Sequence, residues 1–235
     1  MGGLDKQWRE RLWSAEKHLL GWPRNLEEAR AEQKRLRGGV ICRDEEASRP
    51  ERIAGVDVGY DATRGLAKAA VAILSAQDLG LLDYSTAWEE IRFPYIPGYL
   101  SFREVPVAVK AMQGVSLFPD LLFCDGQGVA HPRRLGLACH LGLLLDIPSL
   151  GVAKSKLVGD HDPVGPHKGD WQPLRCGKET LGMALRSRKR TKPVYVSCGH
   201  RISLASCREL VLIASPKYKL PEPIRQAHSL ARIQG

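Results

Sequence analysis

The period of the hydrophobic pattern changes several times along the chain, and each change predicts an element. Residues 7–36 alternate apolar and charged positions at helical spacing, with Pro23 interrupting them. NLEEARAEQKRLRGG has the marks of a separate helix: Asn25 as N-cap, acids in the first turn, bases near the end and glycine as the stop. ERIAGVDVGYD predicts a short buried strand around Ile53–Val58 that ends near Asp57. LAKAAVAILSAQDLGLLDYSTAWEEI predicts two more strands around a turn at Gln77–Gly80, so the first three strands form an antiparallel meander. In FPYIPGYLSFREVP, Pro94 and Pro97 stand too close together for helix or central strand and predict a loop. Residues 101–114 return to helical spacing and carry Glu104. PDLLFCDG reads as a fourth strand, HPRRLGLACHLGLLLDIP as a helix with proline near its first turn, and SLGVAKSKLVG as a fifth strand running out at Lys154. DHDPVGPHKGDW is loop, PVYVSCGHRIS a further strand and turn, and SLASCRELVLIAS a further helix. Strands first, then strand and helix in alternation, predict one α/β domain with a mixed sheet.

The length of 235 residues suits one domain with a full core. No apolar run reaches the ~18 residues of a membrane span, and the charged start MGGLDKQWRERLWSAEK lacks the apolar core of an export signal. Six scattered cysteines with no C-x-x-C pair then read as reduced thiols in a cytoplasmic protein. Lys and Arg outnumber Asp and Glu by 35 to 26, a net charge of +9 that favours a polyanionic partner, nucleic acid before an anionic membrane surface. No heptad or long apolar patch is visible, so a monomer is the expectation.

The candidate chemistry starts from two aspartates. Asp57 follows the apolar IAGV and Asp125 follows LLFC, each at or near the end of a buried strand. Carboxylates forced together there repel unless a cation neutralises them. Glu104 can complete an oxygen-rich site suited to Mg2+ or Mn2+. His131 can transfer a proton, and Lys154 can place a fixed positive charge on a phosphate oxygen. Phosphodiester hydrolysis needs such parts. Simpler readings stand beside this one. A strand-terminal aspartate can form a turn, His131 before Pro132 can cap a helix, and Glu104 and Lys154 can be surface charges.

The motifs GVDVGYD, PYIPGYLSFRE, DLLFCDGQGVAHPRRLGLACHLG, GVAKSKLVG and KPVYVSCGHRISL, in this order, resemble the endonuclease V family across about residues 50–230. The resemblance implies a ribonuclease H-like mixed sheet flanked by helices. It divides the chain into an N-terminal helical segment, residues 1–50, and a catalytic domain, residues 51–235. It implies a DNA repair endonuclease that recognises deoxyinosine and, with Mg2+, hydrolyses the second phosphodiester bond 3′ to the lesion, leaving a 5′-phosphate. Cleavage of inosine-containing RNA, or lesion binding without cleavage, are the alternatives. Carried over position by position, Asp57, Glu104 and Asp125 match the family's metal-site acids, His131 the histidine beside them and Lys154 the active-site lysine. Tyr95, with Pro94, Ile96 and Pro97, matches a wedge inserted where the base is displaced; a stiff loop with an aromatic tip suits that task. Gly98, Leu100, Gly126, Gly128 and Gly136 match a backbone-lined pocket for the flipped hypoxanthine, closed on one side by Leu157. A tight turn would also account for the glycines.

Other features carry less. Arg186, Arg188, Lys189, Arg190 and Lys192 suit a phosphate backbone or a solvated hairpin tip. His200 and Arg201 contact DNA or brace the fold. DHDPVGPHKGD gathers metal-ligand types without element support and reads as a surface loop. Cys139–His140 and Cys198–Gly199–His200 have neither metal-ligand nor triad spacing.

Overall fold

The computed structural model describes residues 2–45 and 50–233, with side chains from residue 6 onward. The boundary expected between residues 50 and 51 adjoins residues 46–49, which lie outside the described residues, as do Met1, Gln234 and Gly235. Two helices, α1 (Gly2–Leu20) and α2 (Leu26–Leu36), precede the meander β1 (Arg52–Asp61), β2 (Leu66–Ser75) and β3 (Leu81–Glu90). Then follow α3 (Ser101–Met112), β4 (Leu121–Cys124), α4 (Leu137–Leu145), β5 (Ser149–Ala153), β6 (Trp171–Cys176), β7 (Glu179–Leu185), β8 (Val194–His200), α5 (Leu204–Ile213) and α6 (Glu222–Ala231). The eight strands form one mixed sheet in the order β3-β2-β1-β4-β5-β8-β7-β6. The β1–β4 and β4–β5 pairs are parallel and the rest antiparallel. Helices α1, α3 and α4 cover one face and α5 and α6 the other, each layer burying its own apolar cluster. This is the expected mixed sheet flanked by helices. Among the described residues no helix is long and apolar enough to cross a membrane.

Asn25 caps α2 as expected, its side-chain oxygen accepting the Glu28 N–H at 3.0 Å. Three local expectations change. β1 does not stop near Asp57 but runs to Asp61, because its antiparallel ladder with β2 continues to Asp61 opposite Leu66. What stops near Asp57 is the parallel partner, since β4 ends with Cys124 opposite Val56. The helix expected to open at His131–Pro132 opens only at Leu137, because Arg134 turns left-handed (φ 60°) and Gly136 is extended. The hairpin β6–β7 and the helix α6 have no counterpart in the sequence reading.

Helix α6 lies flush on β1 because the strand offers glycines beneath it. A methyl group on Gly55 would stand 1.9 Å from the Pro223 carbonyl oxygen, and one on Gly59 2.7 Å from that of Ala231. Any larger residue at either position would lift the helix off the sheet.

Candidate metal centre

Where β4 ends, the chain turns and the Asp125 N–H donates to the Val56 carbonyl at 3.0 Å, which sets Asp125 beside Asp57 of β1. From above, α6 brings His228, whose Nδ1 donates to Asp57 Oδ2 at 2.7 Å. Ligand atoms of Asp57, Asp125 and His228 all lie within 4.8 Å of one another. Lys154, just past β5, donates from Nζ to Asp125 Oδ2 at 2.5 Å. Glu104, buried in the first turn of α3, accepts the Tyr60 hydroxyl at 3.0 Å. Burial, followed by the charges of Asp57 and Asp125, pushes the Glu104 carboxyl up to about 8 despite that hydrogen bond. Asp125 is also pushed up, by burial first and then by Asp57, with Lys154 and His228 opposing.

These shifts mark a site short of positive charge. Three carboxyls crowd together against one ammonium and one imidazole, and two of them hold protons more tightly than in water. Oxygen donors with a single imidazole, one edge open to solvent through a half-exposed His228, fit a divalent cation.

His131 stands outside this triangle. Its Nδ1 accepts the Arg133 N–H at 3.2 Å, so the proton sits on Nε2, which donates to the Gly98 carbonyl at 3.0 Å. Burial first, then the Arg133 charge, hold its pKa down at about 4, so the ring is a neutral brace. The Gly98 carbonyl also accepts from Gln33 Nε2 at 3.0 Å and from the Arg133 guanidinium. Gly98 itself sits at φ 80°, and a methyl there would meet Arg133 Nη2 at 2.7 Å. Phe93, Tyr99 and Phe102 pack the root of the same loop, while Pro94 and Pro97 are exposed and Tyr95 at its tip is 69% exposed. Ile96 is partly buried against the loop's aromatic root, and Leu100 leads directly into α3.

Of the remaining glycines, Gly126 has open space apart from the Leu137 side chain at 3.5 Å. Gly128 and Gly136 are small for a backbone reason. Methyl groups there would fall 2.0 Å from the Cys198 carbonyl oxygen and 2.2 Å from that of Gln127. Leu157 is exposed on the loop after β5. In the basic run, the Arg186 guanidinium is spent on the carbonyls of Val164, Gly165 and Thr191, whereas Arg188, Lys189, Arg190 and Lys192 are exposed. Arg201 pairs with Asp146 at 2.8 Å, and His200 lies 3.8 Å from the same carboxylate. The DHDPVGPHKGD loop forms no metal-type cluster among the described residues. None of the six cysteines is in a disulfide, and Cys139 is buried as expected of a helix stripe.

The sequence reading missed His228. The available signal was an amphipathic spacing, Ile224, Ala227 and Ala231, behind a proline-flanked start, with the histidine one position from the apolar stripe.

An α/β sheet that gathers aspartates, a glutamate and a histidine beside a lysine at the end of its central parallel pair defines a protein with an acidic centre fitted to a divalent cation. More particularly, the chain belongs to the endonuclease V family, whose profile matches residues 34–229. It is similar to Endonuclease V of Trichormus variabilis, 50% identical over 210 residues that span 89% of this chain and 95% of the relative. Among solved structures, Endonuclease V of Streptomyces avermitilis superposes with a TM-score of 0.86 at 45% identity, covering 90% of this chain and 93% of that one. Endonuclease V of Ciona intestinalis, solved with a 23mer DNA containing an inosine followed by a ribo-adenosine, superposes with a TM-score of 0.77 at 28% identity, covering 87% and 94%. These relatives make the chain a nuclease.

Proposed function

We propose that the protein is a DNA repair endonuclease that recognises deoxyinosine and hydrolyses the second phosphodiester bond on its 3′ side, using Mg2+ with Mn2+ as a substitute. The observation that carries the reading is the Asp57–Asp125–His228 cluster beside Lys154 in a member of this family. The cation, when bound, supplies a Lewis acid for the phosphate and a water of lowered pKa. Asp57, Asp125 and His228 hold it. Glu104, buried beside Asp57 and Asp125, completes the donor set or orients the attacking water. Lys154, 2.5 Å from Asp125, places its charge where a phosphate oxygen would approach. Tyr95 wedges the strand, with Pro94, Ile96 and Pro97 stiffening the loop. Gly98, Leu100, Gly126, Gly128, Gly136 and Leu157 form the base pocket. His131 acts on the reaction by fixing Gly98.

Residues 51–235 form the catalytic domain in this reading. The preceding segment steadies it, for Gln33 of α2 reaches the same Gly98 carbonyl. The protein works as a cytoplasmic monomer. A second reading, cleavage of inosine-containing RNA, is favoured by one observation: the Ciona relative was solved on a strand whose inosine is followed by a ribonucleotide.

The test is a labelled duplex with one deoxyinosine, and a matched inosine RNA, each with Mg2+ or EDTA and each nick mapped to the nucleotide. A metal-dependent DNA nick one nucleotide past the lesion, lost in Asp125→Ala, bears the proposal out. Cleavage of the RNA alone transfers the function to the second reading. Tight binding without any cut means a recognition module.

A further inference from the structure

A groove of about 1100 Å³ opens on the same sheet face as the acidic centre, lined by Asp61, Arg64, Lys68, Trp88, Ser229 and Arg232 among others. The sheet explains why these side chains meet. Alternate residues of β1 point to one face, so Asp57, Gly59 and Asp61 share it. Gly59 lies opposite Lys68 of β2, and Lys68 lies opposite Trp88 of β3. Helix α6 crosses this face and ends where the Ala231 carbonyl rests over Gly59. Beyond that end no further helix among the described residues covers the sheet, with Lys68 and Trp88 as floor and Ser229 to Ile233 as wall. The wall begins one residue after His228 and extends about one helical turn, ~5 Å, beyond it. Asp61 is four strand residues, ~13 Å, from Asp57.

The chemistry of the groove points to a nucleic-acid strand. The Arg64 guanidinium and the Lys68 ammonium stand 5.5 Å and 5.6 Å from the Trp88 ring centroid. Lys68 also donates to the Arg232 carbonyl at 3.4 Å. The one acid in the groove is already engaged: Asp61 Oδ1 accepts the N–H groups of Thr63 and Arg64 and the Thr63 hydroxyl, which caps the turn into β2. Among the described residues Arg64, Lys68 and Arg232 form no ion pair. A half-buried indole amid uncompensated cations is the combination that holds an unpaired base by stacking and its phosphates by charge.

We propose that this groove is a second nucleic-acid subsite, which receives the strand as it leaves the acidic centre, stacks one unpaired base on Trp88 and holds the adjoining phosphates with Arg64, Lys68 and Arg232. The proposal rests on the nuclease reading above and adds a contact remote from the cleaved bond.

The experiment measures binding by fluorescence anisotropy in EDTA, using the full-length protein and labelled single strands that each carry one deoxyinosine. Two nested series are shortened from the 5′ end or from the 3′ end. In one series the affinity is expected to fall roughly tenfold in a single step, the size of one base–aromatic stack, when the flank becomes too short to reach Trp88. The ratio of affinities for the long and short strands should fall toward one in Trp88→Ala. Arg64→Glu, at an exposed position, should reduce the same ratio and lower the salt slope by about one for long strands, and it decides the matter if Trp88→Ala fails to fold. A step of unchanged size in both variants, or no step in either series from a native protein that cuts with Mg2+, overturns the subsite. A native protein that neither binds nor cuts any inosine strand overturns the nuclease reading, and the subsite with it.

Discussion

The acidic centre and the loop 93–100 are joined through the first turn of α3, yet opposite forces hold them. In the centre, the sheet gathers Asp57 and Asp125 and α3 adds Glu104, so like charges crowd and two carboxyls are pushed up. In the loop, neutral His131, Gln33 and Arg133 converge on one carbonyl over a packed aromatic root, and every partner is satisfied. The centre is strained by its own charges, which a divalent cation would offset. The loop needs no ligand to keep its shape. Replacing a carboxylate of the centre should therefore abolish function and leave or raise stability, whereas replacing a brace in the loop should lower stability.

The sharpest break between the two regions is Asp125→Asn. It should lower single-turnover cleavage at least a thousandfold, about 4 kcal/mol of transition-state stabilisation. In EDTA its melting temperature should match or exceed that of the native protein, because the repulsion with Asp57 is gone. Native protein should gain melting temperature on adding Mg2+, and the variant should lose that gain. Thermal melts with and without metal, run beside the cleavage assay, check both halves. A variant that unfolds would show that the carboxylate supports the fold.

The loop should respond instead to acid. His131 titrates near 4 in the folded protein against the ordinary 6.5, so on acidification the unfolded chain takes up the proton first. Its contribution is intact above pH ~6.5 and is lost progressively as pH falls toward 4, by up to about 3 kcal/mol. Arg133 and Arg134 face the ring and deepen the loss. Glu104 and Asp125 act in the opposite direction, since their raised values favour the fold at low pH, so native protein must be compared with a His131→Gln variant. Urea unfolding at pH 7 and pH 4.5 should show a smaller drop for the variant. Equal drops would mean that His131 is not held neutral by its surroundings.

What the sequence revealed divides along the same line. Asp57 and Asp125 were legible because an apolar run that ends in a carboxylate is a local pattern, and the meander was legible from period and turn chemistry. His228 was not, because its meaning arises only when α6 lies on β1, and its partner Asp57 is 171 positions away. The hairpin β6–β7 hid for another reason: it is the outer edge of the sheet, so only Leu174 of β6 is buried and its alternation is weak. The extent of the helix after Asp125 was misjudged because Pro132 looks like a first-turn residue, while the left-handed Arg134 that delays the helix leaves no compositional trace. Gly128 and Gly136 were visible as unusual. That two chain segments cross there within backbone contact was not.

Tyr95 sharpens the contrast within the loop itself. Its ring is outside the braces and mostly in solvent, with only Arg103 over it at 5.7 Å. Tyr95→Ala should weaken binding to an inosine strand by about 2 kcal/mol, the worth of one stacked ring, with no change in melting temperature. A fall in stability of similar size would make the tyrosine part of the brace.

The smallest effects separate fixed from free charge in the basic run. The Arg186 guanidinium ties the 164–165 segment to Thr191, so Arg186→Ala should lower unfolding free energy by about 1.5 kcal/mol, a charged donor's hydrogen bonds. Lys189, three residues on, is exposed at the tip of the β7–β8 connection. An exposed lysine side chain does little for the fold, so Lys189→Ala should shift stability by less than about 0.5 kcal/mol. If it meets a phosphate, it should also reduce the salt dependence of strand binding by about one unit of slope, equally for strands with and without inosine. The two variants carry the same change of net charge, so any difference between them reports position alone. An unchanged slope in Lys189→Ala would leave the run as a solvated hairpin tip and confine phosphate recognition to the sheet face that carries Lys154.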